Sequence, residues 1–427
     1  MFKRVLAYII QRHAPSARAQ EFLKYLGPGL LVTVGFIDPG NWASNIAAGS
    51  EFGCQLLWVI TLSTIMLILL QHNAAHLGIA TGDCLSESAT RHLKPWLSRL
   101  ILLSAIGAAV ATAMAEILGA AIALNMLFRI PITASSVLTV ATVCFVLFTN
   151  TYRKVEKWII GFVSLIGISF LYELFLVNAP WRDVMLGLVH PQIPKGSLPI
   201  LMSVLGAVVM PHNLFLHSEI IQSRKWNLAD PAVIKRQLDY EFLDTLFSML
   251  AGWVINSAIV ILAISTFHAN GTVVNDLQQA EALLRPLLGN LSAVVFACAL
   301  LFSGVASCIT AGIAGGCIFA GMFGETYNIR DPHSRIGLGI TYSAAVAAIL
   351  LVTNPFKGLV WSQVVLSIQL PVTVFLLLHL TSSKKVMGSF ANKPVNKALL
   401  FTVAGIISVL NILLFADMIR SLASHAR

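Results

Sequence analysis

Two short stretches, Asp38-Pro39-Gly40-Asn41 and Met210-Pro211-His212-Asn213, share the form X-Pro-X-Asn, and each lies inside a long apolar run. A proline in the middle of a membrane helix removes a backbone donor and clashes with the preceding turn, so each stretch predicts a helix break. Freed carbonyl groups are tolerated at membrane depth only where they are buried in protein or line a watery cavity. Paired breaks in the two halves of a chain therefore indicate the binding site of a transporter.

The composition is that of a polytopic membrane protein. The chain has 427 residues, of which 57% are hydrophobic and 11% charged, and its mean hydropathy is +0.81. A helix needs roughly 20 apolar residues to cross a bilayer core of about 30 Å. Runs of this kind predict eleven spans, at 28–47, 56–79, 101–128, 132–150, 156–177, 198–222, 240–266, 290–323, 337–353, 358–380 and 397–418.

The basic residues predict the orientation of these spans. With the N-terminus in the cytoplasm, 21 of the 28 Lys and Arg residues fall in cytoplasmic segments, as the positive-inside rule requires. We therefore expect a bacterial inner-membrane protein with a cytoplasmic N-terminal segment, 1–25. The net charge of +9 reflects this topology and contact with anionic lipid, and it does not indicate nucleic-acid binding.

The positions of the breaks predict an internal repeat. They fall in the first and sixth spans, so helices 1–5 (26–180) and helices 6–10 (197–381) form two five-helix units, followed by helix 11 (396–420). Because five is odd, the second unit enters the membrane from the opposite side, which gives an inverted repeat. The six cysteines include no C-x-x-C pair, so no disulfide framework, structural zinc site or cofactor is expected.

The residues at the breaks indicate a cation site. Asp38 offers a carboxylate, Asn41 a side-chain carbonyl, Met210 a thioether, and the unwound backbone at Ala207 a carbonyl oxygen. Oxygen ligands alone suit Mg²⁺ or Ca²⁺, whereas a thioether favours transition metals such as Mn²⁺ or Fe²⁺. Two simpler roles stay open, because Asn41 could cap a half-helix and Met210 could be a packing residue.

Both motifs closely resemble the Nramp family of proton-linked divalent metal transporters. The resemblance covers 27–41 and 206–218, and extends to 115–119, Asn256 and 362–367. It implies an all-α, leucine-transporter-like fold with eleven helices, a 5+5 inverted repeat and broken helices 1 and 6. It also implies that the metal ligands are Asp38, Asn41, Met210 and the Ala207 carbonyl, joined in some conformations by Gln363 and the Gly40 carbonyl.

The chain departs from the family pattern along the route that protons take. Ala113, Gly337 and Leu338 stand where many relatives carry an aspartate and two arginines, while Val305 and Gly316 replace common glutamines. The titratable groups left for protons are Asp38, Glu116, His212 and His217. The alternative is that the two histidines and Glu116 only satisfy hydrogen bonds inside the bundle.

These features predict a secondary transporter that imports Mn²⁺, Fe²⁺ and similar ions, with H⁺ as co-ion, and that acts as a monomer. A metal uniporter with weak proton coupling, a Mg²⁺-transporting relative and, with less support, an organic-solute symporter are the alternatives. Asp38 would repel a substrate carboxylate, which argues against the last of these. No H-E-x-x-H or G-x-S-x-G motif accompanies the breaks, so the chain is not expected to be an enzyme.

Overall fold

The computed structural model describes residues 38–149, 161, 167–223, 230–284, 289 and 292–425, and within these ranges it contains helices and no strand. The predicted segment 1–25 and the first half of predicted span one lie outside the described residues. The α-helices are α1 (Pro39–Phe52), α2 (Leu57–Thr81), α3 (Leu85–His92), α4 (Pro95–Phe128), α5 (Ile132–Thr149), α6 (Trp181–Val189), α7 (Leu198–Val209), α8 (Pro211–Ser223), α9 (Pro231–Thr266), α10 (Ser292–Gly321), α11 (Pro332–Leu351), α12 (Pro355–Ser382), α13 (Lys384–Met387) and α14 (Pro394–His425).

Helix α1 begins directly after Asp38, the residue at which the sequence predicts the first break. This residue is the N-cap of α1, with an extended backbone, and its carboxylate accepts a hydrogen bond from the backbone N–H of Asn41. Pro39 follows as the first helical residue, a position where its missing N–H costs no hydrogen bond. The motif therefore begins a helix at the predicted point, while the residues before Asp38 lie outside the described part of the chain.

The second break separates α7 from α8 at Met210. The backbone of Met210 lies in the left-handed region, with φ of 30°, which a residue with a side chain rarely adopts. In a continuous helix the carbonyl of Ala207 would accept from the N–H of residue 211, but Pro211 has none. The break therefore frees one particular carbonyl group, that of Ala207.

Nine helices among the described residues are long and apolar enough to cross a membrane. One of these stretches, Pro39–Thr81, contains α1 and α2 joined by the 3₁₀ turn Gly53–Leu56, and so covers two predicted spans. Ten of the 22 residues of predicted span 156–177 lie outside the described residues, so the total of eleven stays a prediction. Several helices exceed the predicted apolar runs. For example, α9 begins at Pro231 rather than at residue 240, because its first turns are polar and hydropathy detects only the apolar part.

Close helix contacts hold the two breaks inside the bundle. Helices α7 and α12 touch at Gly206, where an added Cβ would overlap the backbone oxygen of Gln363. Helices α1 and α9 are joined by a buried hydrogen bond of 2.6 Å from Asn45 Nδ2 to Asn256 Oδ1. In contrast, α5 and α14 expose large apolar side chains such as Phe145 and Ile412, as expected of a surface that faces lipid.

Candidate functional site

The two helix breaks meet through Asn41. Its side-chain Nδ2 donates a 2.9 Å hydrogen bond to the carbonyl oxygen of Ala207, 166 residues away. Its backbone N–H donates a 2.5 Å hydrogen bond to Asp38 Oδ1. All three residues are buried, with exposed fractions of 1% or less. A carboxylate from the first break therefore lies beside the freed carbonyl group of the second.

Met210 is also buried, and its backbone forms the second break itself. The Sδ atom accepts a 3.2 Å hydrogen bond from Asn213 Nδ2, and the Met210 carbonyl accepts one of 3.0 Å from the Asn213 backbone. The thioether is thus held at the start of α8, three residues after Ala207. The sulfur already engages a polar donor rather than only apolar neighbours.

Gln363 lies between the two breaks. An added Cβ on Gly40 would overlap Gln363 Nε2 and would lie 3.3 Å from Asp38 Oδ1, so the Gln363 amide sits directly over the first break. Gln363 is fully buried, and its Oε1 has no hydrogen-bond partner among the described residues. The Gly40 carbonyl, also a predicted ligand, accepts a 2.9 Å hydrogen bond from Ser44 Oγ and is therefore already engaged.

Helix α4 lies against the first break and brings Glu116 to it. A Cβ on Gly119 would overlap the ring of Pro39, which shows how closely the two helices approach. Glu116 is fully buried near Asp38, and neither of its carboxyl oxygens has a hydrogen-bond partner among the described residues. The structure therefore holds a second buried acid close to the first predicted break.

The two histidines of α8 have different partners. His212 Nδ1 lies 3.1 Å from Thr112 Oγ1 on α4. His217 Nε2 lies 3.4 Å from Glu241 Oε1 on α9, and Glu241 Oε2 lies 2.7 Å from His72 Nδ1 on α2. His217 thus belongs to a separate chain of groups and not to the Asp38–Glu116 pair.

Sequence reasoning missed Glu241 and His72. Glu241 falls inside the predicted span 240–266, and an acid within a membrane span is by default a functional candidate, so a signal was present. Glu241 is 1% exposed and is held further by Thr245 Oγ1, which donates a 2.6 Å hydrogen bond to it. His72 carried no comparable signal, because its pairing depends on how α2 packs against α9.

The positions that lack the family's charged residues are filled by apolar packing. Ala113 is fully buried and Leu338 is 3% exposed. At Gly337 an added Cβ would lie 2.5 Å from the Cβ of Phe319 and 2.8 Å from the Gly315 carbonyl oxygen, so no longer side chain fits there without a shift of α10. None of these three side chains can carry a proton.

Comparisons with known proteins agree on one family. The model of the Nramp family, described as natural resistance-associated macrophage protein-like, matches residues 29–417. A protein of Nostoc sp. named divalent metal cation transporter MntH is 40% identical over 405 residues, which cover 92% of this chain and 90% of that protein. The protein of the same name from Caldanaerobacter subterraneus subsp. tengcongensis is 38% identical over 398 residues, or 92% and 93% of the two chains.

Solved structures agree with the fold. The manganese transporter of Eremococcus coleocola superposes with a TM-score of 0.78 at 30% identity, covering 93% of this chain and 87% of that one. Mhp1, a nucleobase-cation-symport-1 family transporter, superposes with a TM-score of 0.62 at 13% identity and covers 94% of this chain, which shows a shared fold alone. The predicted all-α membrane fold of the leucine-transporter type is therefore confirmed. The chain belongs to the Nramp family.

Proposed function

We propose that this chain is a secondary transporter that imports divalent transition-metal ions, Mn²⁺ or Fe²⁺, into the cytoplasm. The relatives are named divalent metal cation transporters, and a similar solved structure is that of a manganese transporter. Family membership agrees with the prediction that the chain is not an enzyme. The observation that carries the proposal is the hydrogen bond from Asn41 Nδ2 to the Ala207 carbonyl, because it joins the two breaks beside a buried carboxylate.

The donor set suits a transition metal. One ion could take the Asp38 carboxylate, the Asn41 side-chain oxygen, the Ala207 carbonyl and the Met210 sulfur, with Gln363 close by. Metal bonds would replace the hydrogen bonds that now run from Asn41 to Ala207 and from Asn213 to Met210. The site is therefore nearly assembled before the ion arrives, which lowers the cost of ordering it. A thioether is a poor ligand for Mg²⁺ or Ca²⁺ and an acceptable one for Mn²⁺ or Fe²⁺.

Uptake of Mn²⁺ into sealed vesicles tests the site. Asp38→Ala should abolish saturable uptake, since Asp38 would supply the negative charge in contact with the ion. Asn41→Ala should reduce uptake less, because water can replace one neutral oxygen. Asp183→Asn, an exposed change on α6, is the matched control and should transport normally. Saturable uptake by Asp38→Ala, with the protein present in the membrane, would overturn the site.

We propose further that uptake is linked to protons. Asp38 and Glu116 are both buried acids, and a divalent ion bound to Asp38 would favour release of a proton from a nearby carboxyl group. His212, on the helix turn after Met210, is placed to receive a proton by way of Thr112 or water. Protons then need a route from the site to solvent that does not depend on residues 113, 337 and 338.

His217, Glu241 and His72 offer such a route. Along α8 His217 lies five residues beyond His212, or about 7.5 Å along the axis. Glu241 bridges His217 and His72, with the distances given above, and all three groups can hold or pass a proton. The side chains of His217 and Glu241 are each 1% exposed, whereas that of His72 is 26% exposed. The chain of groups therefore leads from the buried interior to a partly accessible end.

Metal-driven acidification of the vesicle lumen, recorded together with Mn²⁺ uptake, tests this route. Glu241→Gln keeps the shape and hydrogen bonding of the side chain but cannot carry a proton, so acidification should fall more than uptake. His212→Ala and Glu116→Gln should also acidify less than wild type, and Asp183→Asn should not differ. If all three variants acidify as wild type does, protons leave elsewhere. If wild type takes up metal without acidification, the chain is a metal uniporter.

The expected setting is the bacterial inner membrane, in contact with anionic lipid, as a monomer with its N-terminus in the cytoplasm. The excess of Lys and Arg in the segments assigned to the cytoplasm supports this orientation. A protease-cleavable tag at the N-terminus should be protected in intact spheroplasts and cut in inverted vesicles. The opposite result would reverse the orientation.

A further inference from the structure

A second group of metal-binding side chains lies away from the helix breaks. Cys84, Glu219 and Cys317 each offer one ligand atom, and these atoms all lie within 4.8 Å of one another. The three residues are buried, with exposed fractions of 0%, 6% and 1%. They come from the N-cap of α3, from α8 and from α10. Glu219 lies eight residues beyond Pro211 on α8, which places it about 12 Å along the helix axis from the break.

Glu219 has few and weak hydrogen-bond donors among the described residues. Its carboxylate accepts long hydrogen bonds, 3.5 Å from the Cys317 thiol and 3.3 Å from the backbone N–H of Tyr327. Within the described ranges no Lys, Arg or His forms an ion pair with it. A buried carboxylate with only weak neutral donors is costly, and a cation beside it would remove that cost. Ordinary core packing of two cysteines would not require an acid at this position.

The spacing suits a tetrahedral thiophilic ion. With metal–sulfur bonds of about 2.3 Å and metal–oxygen bonds of about 2.0 Å, neighbouring ligand atoms lie about 3.3–3.8 Å apart. The distance from Cys317 Sγ to Glu219 Oε2 is already 3.5 Å. The other pairs lie no more than 4.8 Å apart, so they would need to close by about 1 Å at most. Water would complete the fourth position.

The surrounding backbone holds the three ligands in place. The N–H of Leu85 donates a 2.9 Å hydrogen bond to Ser218 Oγ, which ties the start of α3 to α8 next to Glu219. Ser86 Oγ donates a 3.3 Å hydrogen bond to the Cys317 carbonyl, and Thr90 Oγ1 one of 2.7 Å to the Gly321 carbonyl. These bonds join α3 to α10. An ion at the cluster would therefore bind to a frame that already exists.

We propose that Cys84, Glu219 and Cys317 form a second metal site, for a thiophilic divalent ion of the Zn²⁺ type, separate from the transport site. Binding displaces the two thiol protons into solvent, so two thiolates and one carboxylate hold the ion. The ion would cross-link α3, α8 and α10 at the end of the bundle that, in the proposed orientation, faces the cytoplasm. This site goes beyond the proposed transport function and does not depend on it.

Cd²⁺ binding to the purified full chain under reducing conditions tests the proposal, because Cd²⁺ bound to thiolate gives a charge-transfer absorption in the ultraviolet. The parent is Asp38→Ala, in which the transport site is disabled. We expect it to bind one equivalent of Cd²⁺ with the thiolate band. The double change Cys84→Ser and Cys317→Ser in that parent should lose both the ion and the band. Cys308→Ser, which removes a buried thiol elsewhere on α10, is the matched control and should keep both.

The double variant could lose Cd²⁺ binding because it misfolds, so Glu219→Gln serves as a second test. It changes the third ligand and leaves both thiols in place. It should keep the thiolate band but weaken Cd²⁺ binding by about tenfold or more. Bound Cd²⁺ should also raise the melting temperature of the parent and of Cys308→Ser, but not that of the double variant. A band that persists in the double variant, or unchanged affinity in Glu219→Gln, would overturn the proposal. If Asp38→Ala still transports metal, the proposed transport site is wrong, but the proposed site at Cys84, Glu219 and Cys317 is unaffected.

Discussion

The contact between Gly40 and Gln363 allows a sharp test of how the transport site is built. Gly40 lies in the first turn of α1, and its φ is not positive, so its backbone accepts alanine. The added Cβ would overlap Gln363 Nε2 and lie 2.7 Å from Gln363 Cδ. Normal contact between such atoms is about 3.5–4.0 Å, so the amide must move by about 1 Å or more. Gly40→Ala therefore displaces Gln363 and should disturb the site.

Overpacking of this kind costs about 1–3 kcal/mol. If the displaced amide is needed for the conducting state, Mn²⁺ uptake should fall by about 5- to 150-fold. The diagnostic variant is the double change Gly40→Ala and Gln363→Ala, in which the clashing amide is gone. Gln363→Ala alone should reduce uptake, but adding Gly40→Ala to it should change uptake by no more than about twofold, because the amide that the new methyl group displaces is already gone. The two changes touch each other, so their effects are coupled rather than additive.

The assay is initial-rate Mn²⁺ uptake in proteoliposomes, normalised to the amount of folded protein. Gly107→Ala is the control, because an added Cβ at Gly107 meets no atom within 4 Å. If Gly40→Ala is as harmful in the Gln363→Ala background as in wild type, the glycine acts through something other than Gln363. The assignment of Gln363 to the site would then fail.

Three further predictions test other parts of the site. Pro211→Ala restores an N–H that can bond to the Ala207 carbonyl. The melting temperature should therefore rise, by the equivalent of up to about 3 kcal/mol, while Mn²⁺ uptake falls. A variant that still takes up Mn²⁺ would show that the break is dispensable. Met210→Ala should let Ca²⁺ compete with Mn²⁺ in uptake assays, whereas continued exclusion of Ca²⁺ would leave Met210 a packing role. Gly206→Ala places a Cβ against the backbone oxygen of Gln363, which no rotamer change relieves, so the yield of folded protein in size-exclusion chromatography should drop, unlike that of Gly107→Ala.

The sequence by itself determined the class of protein and the two breaks. Apolar runs predict membrane helices because the bilayer leaves the backbone no other partners. The effect of a proline is equally local, since it removes one N–H at a known position, and Pro211 therefore identifies the Ala207 carbonyl as the freed one. Asp38 and Asn41 follow from the same motif. The apolar runs predict the ends of the helices poorly. In α9, for example, the first turns are polar and project beyond the hydrocarbon core, so the apolar run begins after the helix does.

Only the tertiary structure decided which distant groups meet. The bond between Asn41 and Ala207 spans 166 residues, and the pairing of His72 with Glu241 spans 169. The Cys84, Glu219 and Cys317 cluster draws on three helices, so it leaves no spacing pattern such as C-x-x-C in the chain. Each of these contacts depends on the rotation and packing of whole helices, which are fixed by side-chain fit across the bundle rather than by local sequence.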